Sequence, residues 1–487
     1  MSNNTTKPAA DQQGNASGKV SMKVKLGYGF GIFGDTVGNT LFYSFYSYFM
    51  TNVAMVLPIT VGIISMIGVF WDAITDPIVA YINGKRPLTK QASLMMVGTI
   101  PYVAALIATF CVPGGLSGVS LSSYYIVAAL VLFLGYTFYC IPYYSLLPQL
   151  TRDYTERTNI TSVRSYLNTA ANLVAAVLPM LMVSYFSGIF GTEKMGWLAT
   201  VATLSLLVFV SGLVGSRTIT NVIKKNGAEE HAVPIAEKPS SDNIFKEFIK
   251  GMKIKTNRRA LFAIVIFMIS SAMHRTGGAY YITTVCGFPA TAVSLVSLVG
   301  LLSWLVLIPI GNKIVQKFDL RRAILVLLGL GVIGRVIFYF TGVTSLPMAI
   351  IYYLFCACSD VSCYTFMYSL GPDGFLLDEL VFGYDRTPVC HSVSTFGLKI
   401  ANALGLFLWS VILQVVGFNG ALAVQSSATV SAMNFWFTMG IAILGAISWL
   451  MYFKYPISRK KYNELWKAVQ DQRETGDFDH SVIEGLV

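Results

Sequence analysis

The stretch GVFWDAITDPIVAYINGKR, residues 68–86, places two aspartates inside a run that otherwise has the composition of a membrane span. Asp72 and Asp76 lie one helical turn apart, so on a helix both carboxylates project from the same face. A charged residue near the centre of a membrane helix costs about 2.5–3.5 kcal/mol on an insertion scale. Folding alone gives no reason to retain such a pair, so we expect the two carboxylates to have a function inside a helical bundle.

The composition predicts a membrane protein with many spans. The chain has 487 residues, of which 54% are hydrophobic and 12% charged, and its mean hydropathy is +0.62. Soluble domains carry about 25% charged residues. Runs of roughly 20 apolar residues, each long enough to cross a hydrocarbon core of about 30 Å, recur from end to end. We predict an all-α polytopic protein with twelve transmembrane helices, at approximately 28–50, 59–82, 92–113, 123–147, 163–187, 196–216, 260–284, 290–312, 322–342, 346–369, 390–416 and 427–453.

The distribution of lysine and arginine predicts the orientation of these spans. Basic residues are dense in the connections that follow even-numbered spans and nearly absent from those that follow odd-numbered spans. By the positive-inside rule, we expect both termini in the cytoplasm. This topology accounts for the formal charge of +11. Because the basic residues are spread over short loops rather than grouped on one face, we expect no nucleic-acid partner.

Internal similarity predicts two bundles of six helices. Trp71 and Pro77 precede a basic loop in the first half, and Trp304 and Pro309 precede another in the second half. Repeats of this kind are typical of transporters whose central site lies between two bundles. The predicted organisation is a disordered cytoplasmic N-terminal tail (1–26), an N-terminal bundle (27–216), a cytoplasmic middle loop (217–259), a C-terminal bundle (260–454) and a cytoplasmic tail (455–487) able to form a short amphipathic helix.

The residues alone leave two interpretations of the aspartate pair. Two carboxylates in a confined, dry place suit a small cation such as Na⁺, or a proton held between them. Alternatively, the pair forms salt bridges to basic residues on other spans, and both arrangements can occur within one transport cycle. The other charged residues that stand out within the predicted spans are Asp35, Arg164, Arg275, Arg335 and Lys399. Several charges of both signs inside the spans indicate an aqueous cavity.

Five segments carry a family resemblance. They are YGFGIFGD (28–35), FWDAITDPIVAYI (70–82), CIPYYSLLPQLTRDYTERTNITSVR (140–164), GFLLDELVFGYDRTP (374–388) and STFGLKIANALG (394–405). With these segments in the expected order, nearly all of 25–455 resembles the glycoside–pentoside–hexuronide:cation symporters, a branch of the major facilitator superfamily. The resemblance implies the major facilitator fold of two six-helix bundles. It also implies a secondary active transporter that couples Na⁺ or H⁺ to symport of a sugar, glycoside or hexuronide by alternating access, with no other cofactor.

Residue roles follow from the same resemblance. It implies that Asp72 and Asp76 bind the cation, as metal ligands if the ion is Na⁺, helped by the oxygen ligands Thr75 and Thr137. The substrate-binding positions that it implies are Asp35, Thr36, Tyr43, Tyr136, Cys140, Tyr144, Arg164, Arg275, Thr395 and Lys399. Two of these, Thr36 and Cys140, stand where the melibiose carrier of this family holds its sugar with carboxylates. The cation site therefore matches the family, whereas the altered sugar site argues against a galactoside and raises the case for an acidic sugar.

The alternative is a cation-coupled transporter of a lysolipid or other amphipathic solute, because relatives of this fold carry amphipathic lipids with Na⁺. An enzyme is not expected, since the four histidines are scattered along the chain and no catalytic motif accompanies them. We expect a multi-pass monomer in the inner membrane of a bacterial cell, with the lipid bilayer and a small-molecule substrate as its partners.

Overall fold

The computed structural model describes residues 20–151, 154–225, 252–367, 370–383 and 387–487. Within these ranges the chain is helical and contains no strand. Eleven helices are long and apolar enough to cross a membrane. A further helix at the N terminus, interrupted at Gly31, reaches a comparable length through consecutive segments. The described residues therefore confirm the predicted all-α membrane fold with twelve spans.

We number the spans in chain order. They are α1 (Met22–Phe30, Ile32–Thr40, Leu41–Tyr46 and Ser47–Asn52), α2 (Pro58–Gly84), α3 (Leu88–Thr109), α4 (Gly118–Ser145), α5 (Tyr154–Phe190), α6 (Glu193–Lys225), α7 (Lys255–Tyr280 and Tyr281–Val285), α8 (Thr291–Lys317), α9 (Leu320–Thr341), α10 (Leu346–Val361 and Ser362–Met367), α11 (Thr387–Val415) and α12 (Ser427–Phe435, Trp436–Gly440 and Ile441–Phe453). Two shorter elements are the loop helix (Gly371–Phe382) and α13 (Arg459–Thr475).

Two predicted boundaries differ from the structure. The predicted N-terminal tail ends at residue 26, whereas α1 begins at Met22 and its Lys25 pairs with Glu156 of α5 (Nζ–Oε2 2.8 Å). The predicted middle loop is helical at both ends, because α6 continues to Lys225 and α7 begins at Lys255. The rest of these two predictions, on 1–19 and 226–251, lies outside the described residues.

The same helix pairings occur in both halves of the chain. In the first half α1 packs against α5 and α6, and α3 packs against α4 and α6. In the second half α7 packs against α11 and α12, and α9 packs against α10 and α12. The halves meet along the pairs α1–α7, α2–α11 and α5–α8. This repetition agrees with two six-helix bundles that face each other.

One face of the membrane domain is closed between the bundles. We call the face where α1 begins and α12 ends the terminal face, and the other the opposite face. At the opposite face the Tyr280 hydroxyl of α7 lies 2.7 Å from Thr51 Oγ1 and 3.2 Å from Ser47 Oγ, both on α1. The ring of Phe418, in the loop after α11, packs edge-on against Tyr280. These contacts join the two bundles and leave no passage at this point.

The terminal face is open by comparison. Thr158, Ser162, Ser165 and Thr169 follow one another on one side of α5, and all four are exposed. The hydroxyls of Ser162, Ser165 and Thr169 each donate to the backbone carbonyl one turn earlier, and Thr169 lines the space between the bundles. Tyr166 in the same part of α5 is 78% exposed. This exposed side of α5 runs from near the start of the helix to Thr169, which lines the cavity, so the space between the bundles reaches the terminal face along α5.

The C-terminal segment docks on the C-terminal bundle. Arg473 of α13 forms a bidentate ion pair with Glu379 of the loop helix, with Nε–Oε1 at 2.6 Å and Nη2–Oε2 at 2.8 Å. Leu465 and Val469 on α13 are buried in the same apolar cluster as Leu377 of the loop helix. The tail therefore forms an amphipathic helix as predicted, and it is packed against the terminal face of this bundle.

Leu465→Ala is expected to loosen the docked tail, because truncating a buried leucine costs about 2–5 kcal/mol. Leu465 is fully buried, whereas Asn463 on the same helix is exposed, so Asn463→Ala is the matched control. In detergent-solubilised protein, chymotrypsin should cleave the tail of Leu465→Ala faster than that of the control. Equal cleavage rates would mean that this contact does not hold the tail in place.

Candidate cation and substrate sites

The two aspartates lie on α2 and face the interior. Asp72 is 3% exposed, and the side chain of Asp76 is 35% exposed. Pro77 follows directly and lies inside the helix. Because proline has no N–H, it leaves the carbonyl of Ala73 without its intrahelical donor. The turn that carries the carboxylates therefore also contains one backbone carbonyl that this proline leaves without its helical hydrogen bond.

Two threonines complete an oxygen cluster around Asp72. The Thr137 hydroxyl, from α4, donates to Asp72 Oδ1 at 2.9 Å. Thr75 Oγ1 lies 3.3 Å from Thr137 Oγ1, and it also donates to the carbonyl of Asp72 at 3.2 Å. The four residues that the resemblance implied as cation ligands thus lie together in the N-terminal bundle.

Lys399 reaches this cluster from the other bundle. Its Nζ, carried on α11, donates to Asp72 Oδ2 at 2.6 Å and also to Asp76 Oδ2. The Lys399 side chain is 23% exposed, so the contact is partly desolvated. The aspartates do form the salt bridge that the sequence left open, and this bridge spans the interface between the bundles. The lysine ammonium lies where a bound ion would contact both carboxylates.

Asp35 forms a second polar cluster, on α1. The Tyr136 hydroxyl and Asn39 Nδ2 donate to Asp35 Oδ1 at 2.9 and 2.7 Å. The Tyr144 hydroxyl donates to Asp35 Oδ2. The guanidinium of Arg164 lies over the Tyr144 ring, 5.3 Å from its centroid. Three neutral donors thus hold the carboxylate of Asp35, and none of them removes its charge.

A cavity of about 710 Å³ lies between the bundles, beside these clusters. Asp35 and Asn39 line it from α1, Asn168 from α5, and Arg275 from α7. Its walls contain polar side chains on α1, α5, α7 and α10 and mostly apolar ones on α8. Further lining residues are Thr36, Asn172, His274, Leu301, Trp304, Leu305, Ile308, Tyr353, Asp360 and Tyr364. The volume suits a solute of the size of a sugar or a small amphipath.

The predicted substrate positions fall into two groups. Thr36 lines the cavity and donates to Asn168 Oδ1 at 2.6 Å, and Tyr43 lies beside Arg275, whose guanidinium is 5.3 Å from its ring centroid. Asp35, Thr36 and Arg275 are thus the predicted positions that line the cavity. The other four contact this lining directly or through one neighbour: Tyr136 and Tyr144 donate to Asp35, Arg164 lies over the Tyr144 ring, and Tyr43 lies beside Arg275. Cys140 is buried, Thr395 is exposed, and neither is among the residues that line the cavity. Lys399 lies in the carboxylate cluster instead of the cavity wall.

Neighbouring residues of α4 connect the two clusters. Tyr136 donates to Asp35 beside the cavity. Thr137, the next residue, donates to Asp72 in the oxygen cluster. Consecutive residues on a helix point about 100° apart, so one helix presents a donor to each cluster. A rotation of α4 would therefore change both contacts at once.

Sequence reasoning missed several residues of the cavity wall. Asn39, Asn168 and Asn172 carry no charge, and an asparagine in an apolar span gives only a weak signal. Asp360 lies in α10 and lines the cavity. The argument applied to Asp72 would have found it, since it is also a carboxylate within a predicted span.

A twelve-helix protein with a polar cavity between two bundles has the architecture of a membrane transporter. A family model described as MFS/sugar transport protein matches residues 27–459. The chain therefore belongs to this family, the melibiose-carrier-like symporters of the major facilitator superfamily.

Individual relatives agree with this membership. The chain is 24% identical to the Uncharacterized symporter YnaJ of Bacillus subtilis (strain 168), over 95% of this chain and 97% of that protein. It is 22% identical to the Sodium-dependent lysophosphatidylcholine symporter 1 of Xenopus tropicalis, over 90% of this chain and 88% of that protein. Its fold resembles that of a bacterial homologue of the iron transporter ferroportin in the inward-facing state, with a TM-score of 0.64 and 14% identity, covering 90% and 99% of the two chains.

Lys399→Met is expected to lower the thermal stability of the protein, because it leaves two carboxylates without their cation. Removing one partner of a fully buried pair costs about 3–5 kcal/mol, and the loss here should be smaller because the Asp76 side chain is 35% exposed. Adding Asp72→Asn to this variant removes one of the stranded charges and should recover part of the loss. The melting temperatures of the single and double variants in detergent, without added sodium, test this. A double variant no more stable than Lys399→Met would contradict a close ion pair.

Proposed function

We propose that the protein is a secondary active symporter that couples Na⁺ or H⁺ to the uptake of a sugar, glycoside or hexuronide. The observation that carries this proposal is the contact of Lys399, on α11, with Asp72 and Asp76, on α2. A partly buried pair of carboxylates that already accepts a tethered cation is suited to accept a mobile one. The threonine hydroxyls nearby supply further oxygen, which favours Na⁺ over a bare proton.

Competition between Lys399 and the ion gives a coupling mechanism. When the ion is absent, the ammonium of Lys399 balances the two carboxylates and ties α11 to α2. When the ion binds, it takes over that role, and Lys399 is released from the N-terminal bundle. The ion thereby changes the interactions between the bundles, and Thr137 and Tyr136 relay the change to Asp35. Coupling of this kind is reciprocal, so the substrate tightens binding of the ion by the same factor.

Alternating access follows from the asymmetry of the two faces. With the terminal face assigned to the cytoplasm by the positive-inside rule, the cavity opens inwards. Separation of α1 from α7 at Tyr280, with closure of the terminal face, would open the cavity outwards. A bacterial relative, the Inner membrane symporter YicJ of Escherichia coli (strain K12), supports an assignment to a bacterial inner membrane.

A second candidate substrate is a lysolipid. The resemblance to a sodium-dependent lysophosphatidylcholine symporter favours it, as does the apolar wall formed by Leu301, Leu305 and Ile308 of α8. The polar walls on α1, α5, α7 and α10, and the description of the matching family, favour a sugar. Competition by lysophosphatidylcholine against labelled sugar uptake distinguishes the two.

Asp76→Asn is expected to abolish accumulation of substrate against its gradient, because the site would lose the charge that captures the ion. Exchange of substrate across the membrane should persist, since Asp76 does not line the cavity. Proteoliposomes with an imposed sodium gradient or pH gradient provide the measurement. Asp471→Asn is the matched control, since it makes the same change at an exposed position on α13. Wild-type accumulation by Asp76→Asn would refute the coupling role.

Lys399→Gln is expected to tighten binding of the coupling ion, because the tethered ammonium no longer competes for the carboxylates. A gain of about 1.4 kcal/mol corresponds to a tenfold lower Kd. Isothermal titration of the purified protein with sodium measures the change directly, and proton release on binding reports H⁺ competition. Unchanged affinity in Lys399→Gln would argue against displacement of Lys399 by the ion.

A further inference from the structure

The two halves of the chain carry a similar basic loop at the terminal face, and the proposed transport mechanism uses neither copy. The loop between α2 and α3 has three basic residues within 85–90, and no acidic residue occurs in 77–152. The loop between α8 and α9 has four basic residues within 313–322, together with one acidic residue, Asp319. Each loop therefore carries a surplus of positive charge.

The basic end of α2 continues an apolar stripe on the outer side of that helix. The members of the stripe are exposed and recur every three or four residues, at Ile63, Ile67, Phe70, Ile74, Ile78 and Tyr81. At about 100° per residue, they lie on the side of α2 opposite Asp72, which is buried in the interior. Exposed apolar surface on a membrane span is stable against acyl chains rather than water. Lys85, one turn after Tyr81, is exposed and extends this lipid-facing stripe.

α8 and α9 present the same arrangement in the C-terminal bundle. The exposed stripe of α8 ends in two lysines, and its members are Leu302, Val306, Ile310, Lys313 and Lys317. The exposed stripe of α9 begins with an arginine, and its members are Arg322, Val326, Leu330, Ile333 and Ile337. Trp304, which lines the cavity, lies on the other side of α8. Both stripes therefore place their charges at the terminal end of a lipid-facing surface.

An exposed aromatic ring lies beneath the cations of each loop. Lys85 Nζ lies 4.1 Å from the ring centroid of Tyr81. Lys317 Nζ and Arg322 Cζ lie 5.4 and 5.2 Å from the ring centroid of Phe318. A ring at these distances attracts a cation without neutralising it. In the part of the chain that the structure describes, none of these three cations lies within salt-bridge distance of a carboxylate.

Hydrogen bonds to the backbone hold both loops in place. In the C-terminal bundle, Arg459 Nη2 donates to the carbonyl of Val315 at 2.5 Å, which fastens the segment after α12 to the end of α8. In the N-terminal bundle, Gln91 Nε2 donates to the carbonyl of Arg86 at 2.8 Å. The helix ends that carry the cations are therefore positioned before any ligand binds, which lowers the entropic cost of binding.

We propose that each loop, with the stripe that leads to it, binds a phospholipid whose headgroup carries a negative charge. The headgroup phosphate pairs with Lys85 in the N-terminal bundle and with Lys317 and Arg322 in the C-terminal bundle, while the acyl chains lie along the stripes. The positive-inside rule accounts for basic residues in these loops. It does not require them to extend a lipid-facing stripe or to lie over an exposed ring. Anionic headgroups bind basic clusters at this depth of the membrane.

The test counts the lipids that stay bound to the purified protein in detergent, by native mass spectrometry. The probes are phosphatidylglycerol, which is anionic, and phosphatidylcholine, which has no net charge, with the same acyl chains. Wild type should retain two molecules of phosphatidylglycerol in preference to phosphatidylcholine. Lys85→Gln should retain one, and so should the double variant Lys317→Gln/Arg322→Gln. Each cation removed should weaken binding about fivefold.

Two further variants serve as controls. Lys85→Arg keeps the charge and should retain the lipid. Lys467→Gln removes an exposed lysine from α13, which is docked at the same face but is not part of either stripe, and it should retain both lipids. Unchanged melting temperatures in phosphatidylcholine show that the variants are folded.

Three results would overturn the proposal. The first is equal retention of the two lipids by wild type, and the second is unchanged retention of phosphatidylglycerol when all three cations are replaced by glutamine. The third is stabilisation of wild type by inorganic phosphate to the same extent as by phosphatidylglycerol, which would assign the cations to a free anion. Because no transported solute is present, these results do not depend on the proposed transport function.

Discussion

The contact of Lys399 with Asp72 and Asp76 constrains the rest of the structure. Carboxylates in a membrane span are costly, and a pair of them repel each other. They are stable here because an ammonium from the other half of the chain lies between them. That contact needs α11 beside α2 and Thr137 of α4 turned towards Asp72. The electrostatic balance of the candidate cation site thus depends on how the two bundles are aligned.

The fold was predictable because its main determinants are local in sequence. Apolar runs long enough to cross a bilayer define the spans, and the polar connection between two similar halves divides them. The departures arise from tertiary contacts. The helix at Lys25 is extended where its ammonium meets Glu156, and α13 docks through an ion pair with Glu379, about a hundred residues away. The sequence shows both residues of each ion pair, but it does not show that they lie close together in the fold.

The candidate sites were predictable to a different extent. Asp72, Asp76 and Lys399 stand out because a charge inside an apolar span needs an explanation, and the resemblance to a family places Thr75 and Thr137 beside them. The cavity wall was less accessible to this reasoning. Asparagines and a histidine carry no fixed charge, so they stand out less in an apolar span than the aspartates and Lys399 do, and they become a site only where several helices converge. Thr395 shows the converse, since it matches a family position yet is exposed and outside the cavity lining.

The adjacency of Tyr136 and Thr137 has a consequence for the coupling that we propose between the ion and the solute. A single peptide unit separates the residue that donates to Asp35 beside the cavity from the residue that donates to Asp72 in the oxygen cluster. Because a peptide unit is planar and a helix moves as a stiff rod, the Cα–Cβ bonds of the two residues keep a fixed relative direction, so a displacement of α4 moves both side chains together. The proposed coupling therefore needs no pathway of intermediate residues between the two clusters, because adjacent residues of one helix contact both.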